Sequence, residues 1–130
     1  MTVAGYFDAV KERLLTDRIV ARFQLVRERL TLSDGHLRAR LTLIDGSRLE
    51  FSEYVQLFPD DRIDVVTYSY HWADENDNLI RRWDNTPHYP DLPNSPHHVH
   101  SGLADLVSPG QPMSIFAVLD EIAAHLKSDS

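Results

Sequence analysis

Residues 81–100 read Arg-Arg-Trp-Asp-Asn-Thr-Pro-His-Tyr-Pro-Asp-Leu-Pro-Asn-Ser-Pro-His-His-Val-His and hold four of the chain's seven histidines and four of its seven prolines. Histidine titrates near neutrality and serves as acid, base or metal ligand. Proline fixes φ and removes a backbone donor, so this stretch is expected to be an extended, ordered loop rather than a helix. Three chemistries fit its histidines. Two imidazoles among His88, His97, His98 and His100 could exchange protons with a ribose 2′-hydroxyl and a leaving oxygen while Arg82 stabilises the developing charge, with no metal required. Alternatively, His98 and His100, two apart and pointing the same way if extended, could join His88 or Asp91 around a transition metal. In the third reading the rings hydrogen-bond backbone carbonyls and tie the loop down. No spacing matches a strong zinc signature.

Just upstream, Tyr68, Tyr70 and Trp72 alternate along one strand-like run, and Arg82 and Asp84 along the next. Each set shares a face. A hairpin register pairing Tyr70 with Arg82 also sets Tyr68 beside Asp84, bringing together a phenol, a guanidinium and a carboxylate suited to a phosphodiester. The competing reading is an aromatic row on an exposed strand with one ordinary ion pair.

The elements that must position these groups follow from periodicity. Val3, Tyr6, Phe7, Val10 and Leu14 predict a helix over residues 3–16. From Ile19 the pattern becomes β-branched and alternating, and a change of parity near Leu25 suggests a bulge. Strands are expected from Leu37 to Leu43, Arg48 to Val55, Ile63 to Trp72 and Leu79 to Asp84, separated by Gly-, Asn- and Asp-rich turns. Pro112 stands where a last helix could start, with Ile115, Phe116, Leu119, Ile122, Ala123 and Leu126 as its stripe. The expected fold is α+β: a five-stranded antiparallel meander with N-terminal and C-terminal helices packed on one face and an ordered proline- and histidine-rich loop. Without repeats or a composition break, residues 1–130 read as one domain.

Charge is unevenly spread. Residues 1–50 carry nine Lys/Arg against seven Asp/Glu, a local +2, and residues 51–130 carry four against thirteen, a local −9. A net charge of −7 gives no bulk attraction to phosphate, so nucleic-acid contact would need a localised basic face. Arg22, Arg27, Arg29, Arg38 and Arg40 could make one, or could form the solvated side of a sheet. The absence of cysteine excludes disulfides, thiolate metal sites and thiol nucleophiles. Phosphate-binding Gly-rich loops, Gly-x-Ser-x-Gly and His-Glu-x-x-His are missing, which disfavours nucleoside triphosphatase, α/β-hydrolase and metalloprotease chemistry. The acidic turns lack the pattern of a calcium loop. With no apolar run near the ~20 residues of a membrane span and no signal-peptide core, the expected location is cytoplasmic.

Tyr68-Ser69-Tyr70-His71-Trp72, Arg82-Trp83-Asp84-Asn85-Thr86-Pro87-His88 and Pro96-His97-His98-Val99-His100 together resemble the TumE family of small bacterial and archaeal proteins. That family has a Tyr-x-Tyr-His strand, a loop around Arg-x-Asp-Asn-x-Pro-His-His and a Pro-His-His-x-His end before a C-terminal helix. The resemblance spans residues 20–125, with its specific motifs between 68 and 100. Tyr89 departs from it, standing where a second histidine is usual. The resemblance implies the toxin component of a toxin–antitoxin pair, read here as type II, a role more than a reaction, and points to Tyr70, His71, Arg82, Asp84, Asn85, His88, His97, His98 and His100.

Joined to the residue chemistry, the resemblance leads to a small endoribonuclease. Tyr70, Arg82, Asp84, His88, His97, His98 and His100 are its expected catalytic groups, and His71, Asn85, Arg38 and Arg40 its substrate-binding groups. No metal or other cofactor is required in this reading. A cognate antitoxin is the expected partner, with RNA and a second copy of the chain as further candidates. Two alternatives stay open. One is a non-catalytic module whose loop and sheet face form a docking surface for another protein; in either scheme Asp60, Asp61, Asp64, Asp74, Glu75 and Asp77 could recruit a basic segment of an antitoxin. The other is a divalent-metal-dependent hydrolase or nuclease built on the same histidines.

Overall fold

In a computed structural model describing residues 1–102 and 106–128, helix α1 (Val3–Thr16) leads into strands β1 (Val20–Leu30), β2 (Asp34–Leu43), β3 (Arg48–Leu57), β4 (Ile63–Ala73) and β5 (Leu79–Asp84). Two short strands, β6 (His98–Ser101) and β7 (Leu106–Pro109), precede helix α2 (Ile115–Ser128). All seven strands form one antiparallel sheet in sequence order. The α+β class and the two terminal helices are as the periodicity predicts, but the meander has seven strands rather than five. The two added strands come from the end of the proline- and histidine-rich segment and the residues after it. Once Pro96 is passed, His98–Ser101 contains no proline and can pair with β5. Pro109 is tolerated because β7 lies on the sheet edge. Four residues of mixed polarity carry no alternation from which such strands could be read.

Thr2 caps α1 by accepting the Gly5 N–H at 2.9 Å. The helix buries Val3, Phe7, Val10 and Leu14, and α2 buries Ile115, Val118, Leu119 and Ile122. Both stripes pack with Leu37, Ala39, Leu41, Leu49, Phe51, Tyr70, Trp72 and Trp83 in one core cluster. The helices therefore cover one face of the sheet and leave the other open. β1 is bulged between Val20 and Arg22 and between Leu25 and Arg27, which accounts for the change of parity near Leu25.

A third irregularity decides the chemistry. Ala73 pairs with Leu79, but Trp72 pairs with Arg81, so Ile80 is an extra residue on β5. Without it the ladder would continue to Tyr70–Arg82 and Tyr68–Asp84, the expected register. Instead Tyr70 pairs with Trp83, His71 with Arg82 and Ser69 with Asp84. A one-residue slip turns every β5 side chain to the other face. The bulge-free register would drive a guanidinium and a carboxylate into the core and expose an indole. The observed one buries Trp83, stacked 6.5 Å from Trp72. Tyr68, Tyr70 and Trp72 are accordingly core residues rather than an exposed aromatic row.

One carboxylate does enter this core. Glu53, fully buried on β3, accepts hydrogen bonds from the Tyr6 hydroxyl (2.7 Å), the Tyr70 hydroxyl (2.6 Å) and the backbone N–H of Ile115 (2.7 Å). It thereby ties α1, β4 and the first turn of α2 to one point. Burial raises the Glu53 pKa above the ordinary glutamate value against the opposing effect of these three donors.

Candidate functional site

Cross-strand partners share a face, so the ladder sets out the open side in rows. One row runs Gln24, Arg40, Glu50, His71, Arg82, His100, and the next runs Arg27, Arg38, Ser52, Ser69, Asp84, His98. Two adjoining concavities of about 440 and 490 Å³ share Glu50 and His71 and form a trough along these rows. Arg22, Arg40 and Arg48 stand along one part of it and Arg38 and Arg82 along the other. Glu50 holds Arg38 and Arg40, and Asp77 lies 3.4 Å from Arg48.

Beside Arg82 the open face becomes more enclosed. Arg82 Nε donates to Asp84 Oδ2 at 2.9 Å, and Thr86 N–H donates to Oδ1 at 3.1 Å. Burial pushes the Asp84 pKa up, but the bonds from Arg82 and Thr86 and the charge of Arg82 outweigh it and hold the carboxyl below its ordinary value. His98, paired with Asp84 across β5 and β6, is buried, and its Nε2 lies 2.8 Å from Asp84 Oδ1. His100, half-buried, places Nε2 at 3.9 Å from Oδ2. Tyr89 packs edge-on against both imidazoles, with ring centroids at 4.9 and 5.9 Å. On the other side of Arg82, Nη1 is 3.5 Å from His71 Nδ1. Burial first, and the Arg82 charge second, lower the His71 pKa and favour its neutral ring.

The expected site residues thus divide. Arg82, Asp84, His98, His100 and His71 come together on the open face, with Arg38 and Arg40 along the same trough. Tyr70 lies beneath the sheet, its hydroxyl on Glu53, and burial with the nearby Glu53 carboxyl pushes its pKa well up. His97 faces the core side too, stacked on Tyr68 and with Nδ1 2.8 Å from its hydroxyl. Burial and the neighbouring His98 lower the His97 pKa, and burial above all pushes Tyr68 up to about 12. Asn85 extends the β4–β5 seam, accepting from Tyr68 N–H at 3.0 Å and donating to the Val66 carbonyl at 2.8 Å. His88 and Asp91 are exposed on the loop, and the acidic member of the histidine cluster is Asp84.

The family model described as toxin TumE matches residues 10–129. The chain belongs to the TumE family. Membership makes it a toxin of a toxin–antitoxin system and implies an antitoxin partner. No curated protein and no solved structure matches this TumE-family chain. Among its described residues no helix is long and apolar enough to cross a membrane.

Three contributors, Glu50, Arg48 and Glu53, escaped the sequence reading, and a fourth, Tyr89, stood out only as a departure from the family motif. Glu50 and Arg48 line the trough, and their even-number parity on β3, opposite Arg40 and Thr42, was the available signal. Glu53 interrupts the apolar series Leu49, Phe51, Val55, the mark of an acid directed into a core. Tyr89 carries no periodic signal, because it reaches the histidines from an irregular loop.

Proposed function

We propose that this TumE-family toxin belongs to a type II pair and acts on RNA as an endoribonuclease from the open face of the sheet. The observation that carries this reading is the position of Arg82, between the neutral-leaning His71 on one side and Asp84, His98 and His100 on the other. The trough arginines hold the strand's phosphates, and Arg82 stabilises the charge that develops on the scissile phosphate. His71 accepts the proton of the ribose 2′-hydroxyl, whose oxygen then bonds to phosphorus. The bond to the 5′-oxygen breaks, leaving a 2′,3′-cyclic phosphate, and that oxygen takes up a proton delivered through the histidine cluster across Arg82, becoming the 5′-hydroxyl. Asp84 orients Arg82, and the Pro96 carbonyl orients His98.

Induced expression of wild type, Arg82→Ala and His98→Ala, with growth and total RNA followed, tests this reading. Growth arrest with fragmented RNA in wild type alone supports it. Arrest retained by both variants rejects the site.

A second reading, the non-catalytic binding module, is favoured by β1. This strand forms a sheet edge and exposes Leu25, Val26 and Leu30, an edge suited to pairing with a partner strand. Purified protein that leaves every RNA substrate intact, while still arresting growth, would favour this reading over the nuclease.

A further inference from the structure

His98 Nε2 is, among the described residues, a buried side-chain nitrogen with no hydrogen-bond partner. Its side chain is 1% exposed, and Asp84 Oδ1 is only 2.8 Å away. That separation is within ion-pair range, yet no hydrogen bond joins the two atoms. The other ring nitrogen explains the tautomer. Nδ1 lies 2.8 Å from the Pro96 carbonyl, which can only accept, so Nδ1 carries the proton. In the neutral ring Nε2 then presents a lone pair beside the carboxylate. Arg82 neutralises the other carboxylate oxygen, Oδ2. Among the described residues nothing lies between Oδ1 and the Nε2 lone pair, and two buried lone pairs at this distance repel each other unless a cation bridges them.

We propose that Asp84, His98 and His100 bind a zinc-class divalent transition metal. Their donor atoms all lie within 4.8 Å of one another. Bonds of about 2.0–2.2 Å would require the widest separation to close by at most ~1.5 Å, within reach of a rotation of the half-buried His100 ring. Two imidazole nitrogens and one carboxylate oxygen are the donors of zinc-class ions, whereas calcium and magnesium take oxygen sets. The outer groups are those that orient metal ligands: Pro96 C=O fixes the His98 tautomer, and Arg82 and Thr86 N–H fix Asp84. His98 and His100 lie two apart on β6, so the strand itself directs them to one side. Three protein donors leave a coordination position for water or a phosphate oxygen. On the RNA reading, the ion would meet the leaving oxygen as a Lewis acid. Metal occupancy does not depend on that reading.

The test uses the full chain, stripped with a chelator, returned to chelator-free buffer and titrated with Co²⁺ alone, then competed with Zn²⁺. One equivalent of visible cobalt absorption displaced by zinc is expected, together with a zinc-dependent rise in melting temperature. His98→Ala and His100→Ala should each weaken binding at least tenfold. The metal-free His100→Ala protein should keep the wild-type circular dichroism, which separates lost ligation from lost fold. Absence of both metal signals in wild type overturns the site, as does undiminished affinity in both variants. Binding lost in His36→Ala but kept in His98→Ala would mark an adventitious surface histidine and also overturn it. RNA cleavage that persists without metal binding defeats this inference alone, and metal binding without cleavage defeats the nuclease reading alone.

Discussion

The Tyr70 hydroxyl donates a 2.6 Å hydrogen bond to Glu53 on the helix side of the sheet, directly beneath the open face that carries Arg82. Tyr70 shares this carboxylate with Tyr6 and with the N–H of Ile115. Glu53→Ala strands all three buried donors and should cost roughly 3–5 kcal/mol by chemical denaturation. Tyr70→Phe removes one donor and should cost about 1–2 kcal/mol. It should leave growth inhibition intact at temperatures where the variant is folded, and loss of inhibition there would return Tyr70 to the catalytic set.

The same carboxylate sets a pH dependence. Burial raises the Glu53 pKa in the folded state, so the native protein holds that proton to higher pH than the unfolded chain. The stability this contributes is complete below the unfolded glutamate value and is lost as pH rises through the raised native one. Glu53→Gln cannot ionise, and turning the Tyr6 hydroxyl to accept from the amide satisfies it. Melting curves across the window should fall for wild type and stay flatter for Glu53→Gln. Parallel curves would show that Glu53 does not govern this range.

The β4–β5 register makes neighbouring residues behave oppositely. Trp83 is buried against Trp72, so Trp83→Ala should cost about 3–5 kcal/mol and Trp83→Arg should fail to fold. Arg82→Trp, on the open face, should fold and lose activity. Soluble Trp83→Arg with a wild-type melting temperature would contradict the Ile80 bulge.

His97 and His98 are adjacent and face opposite sides. His97→Ala forfeits its bond and stacking with Tyr68, a loss of about 1–2 kcal/mol, and should keep toxicity at permissive temperature. His98→Ala should abolish toxicity. Growth curves for the pair, read beside their melting temperatures, distinguish the two faces, and equal loss in both would reject the division.

Gly110 presses on the backbone of His98. A Cβ there would stand 3.1–3.2 Å from the N, Cα and C atoms of His98, backbone that cannot swing aside. Gly110→Ala should therefore displace β6, costing about 1–3 kcal/mol and reducing toxicity beyond what the fall in melting temperature explains. Unchanged toxicity would show that His98 tolerates the shift.

By itself the sequence determined the two helices, the five long strands, the β1 bulge and the grouping of chemistry between Tyr68 and His100, because periodicity and turn residues are local signals. The short strands β6 and β7 were not legible, since four-residue edge segments have pattern only through the strands they join. Which side chains meet was decided by tertiary structure. One extra residue, Ile80, determines whether Arg82 or Trp83 faces the helices, and the choice rests on burying the indole against Trp72 while leaving the guanidinium in water. From that choice follow the separation of Tyr70 and His97 from the open face and the meeting of Asp84 with His98 and His100, relationships between strands that no spacing along the chain contains.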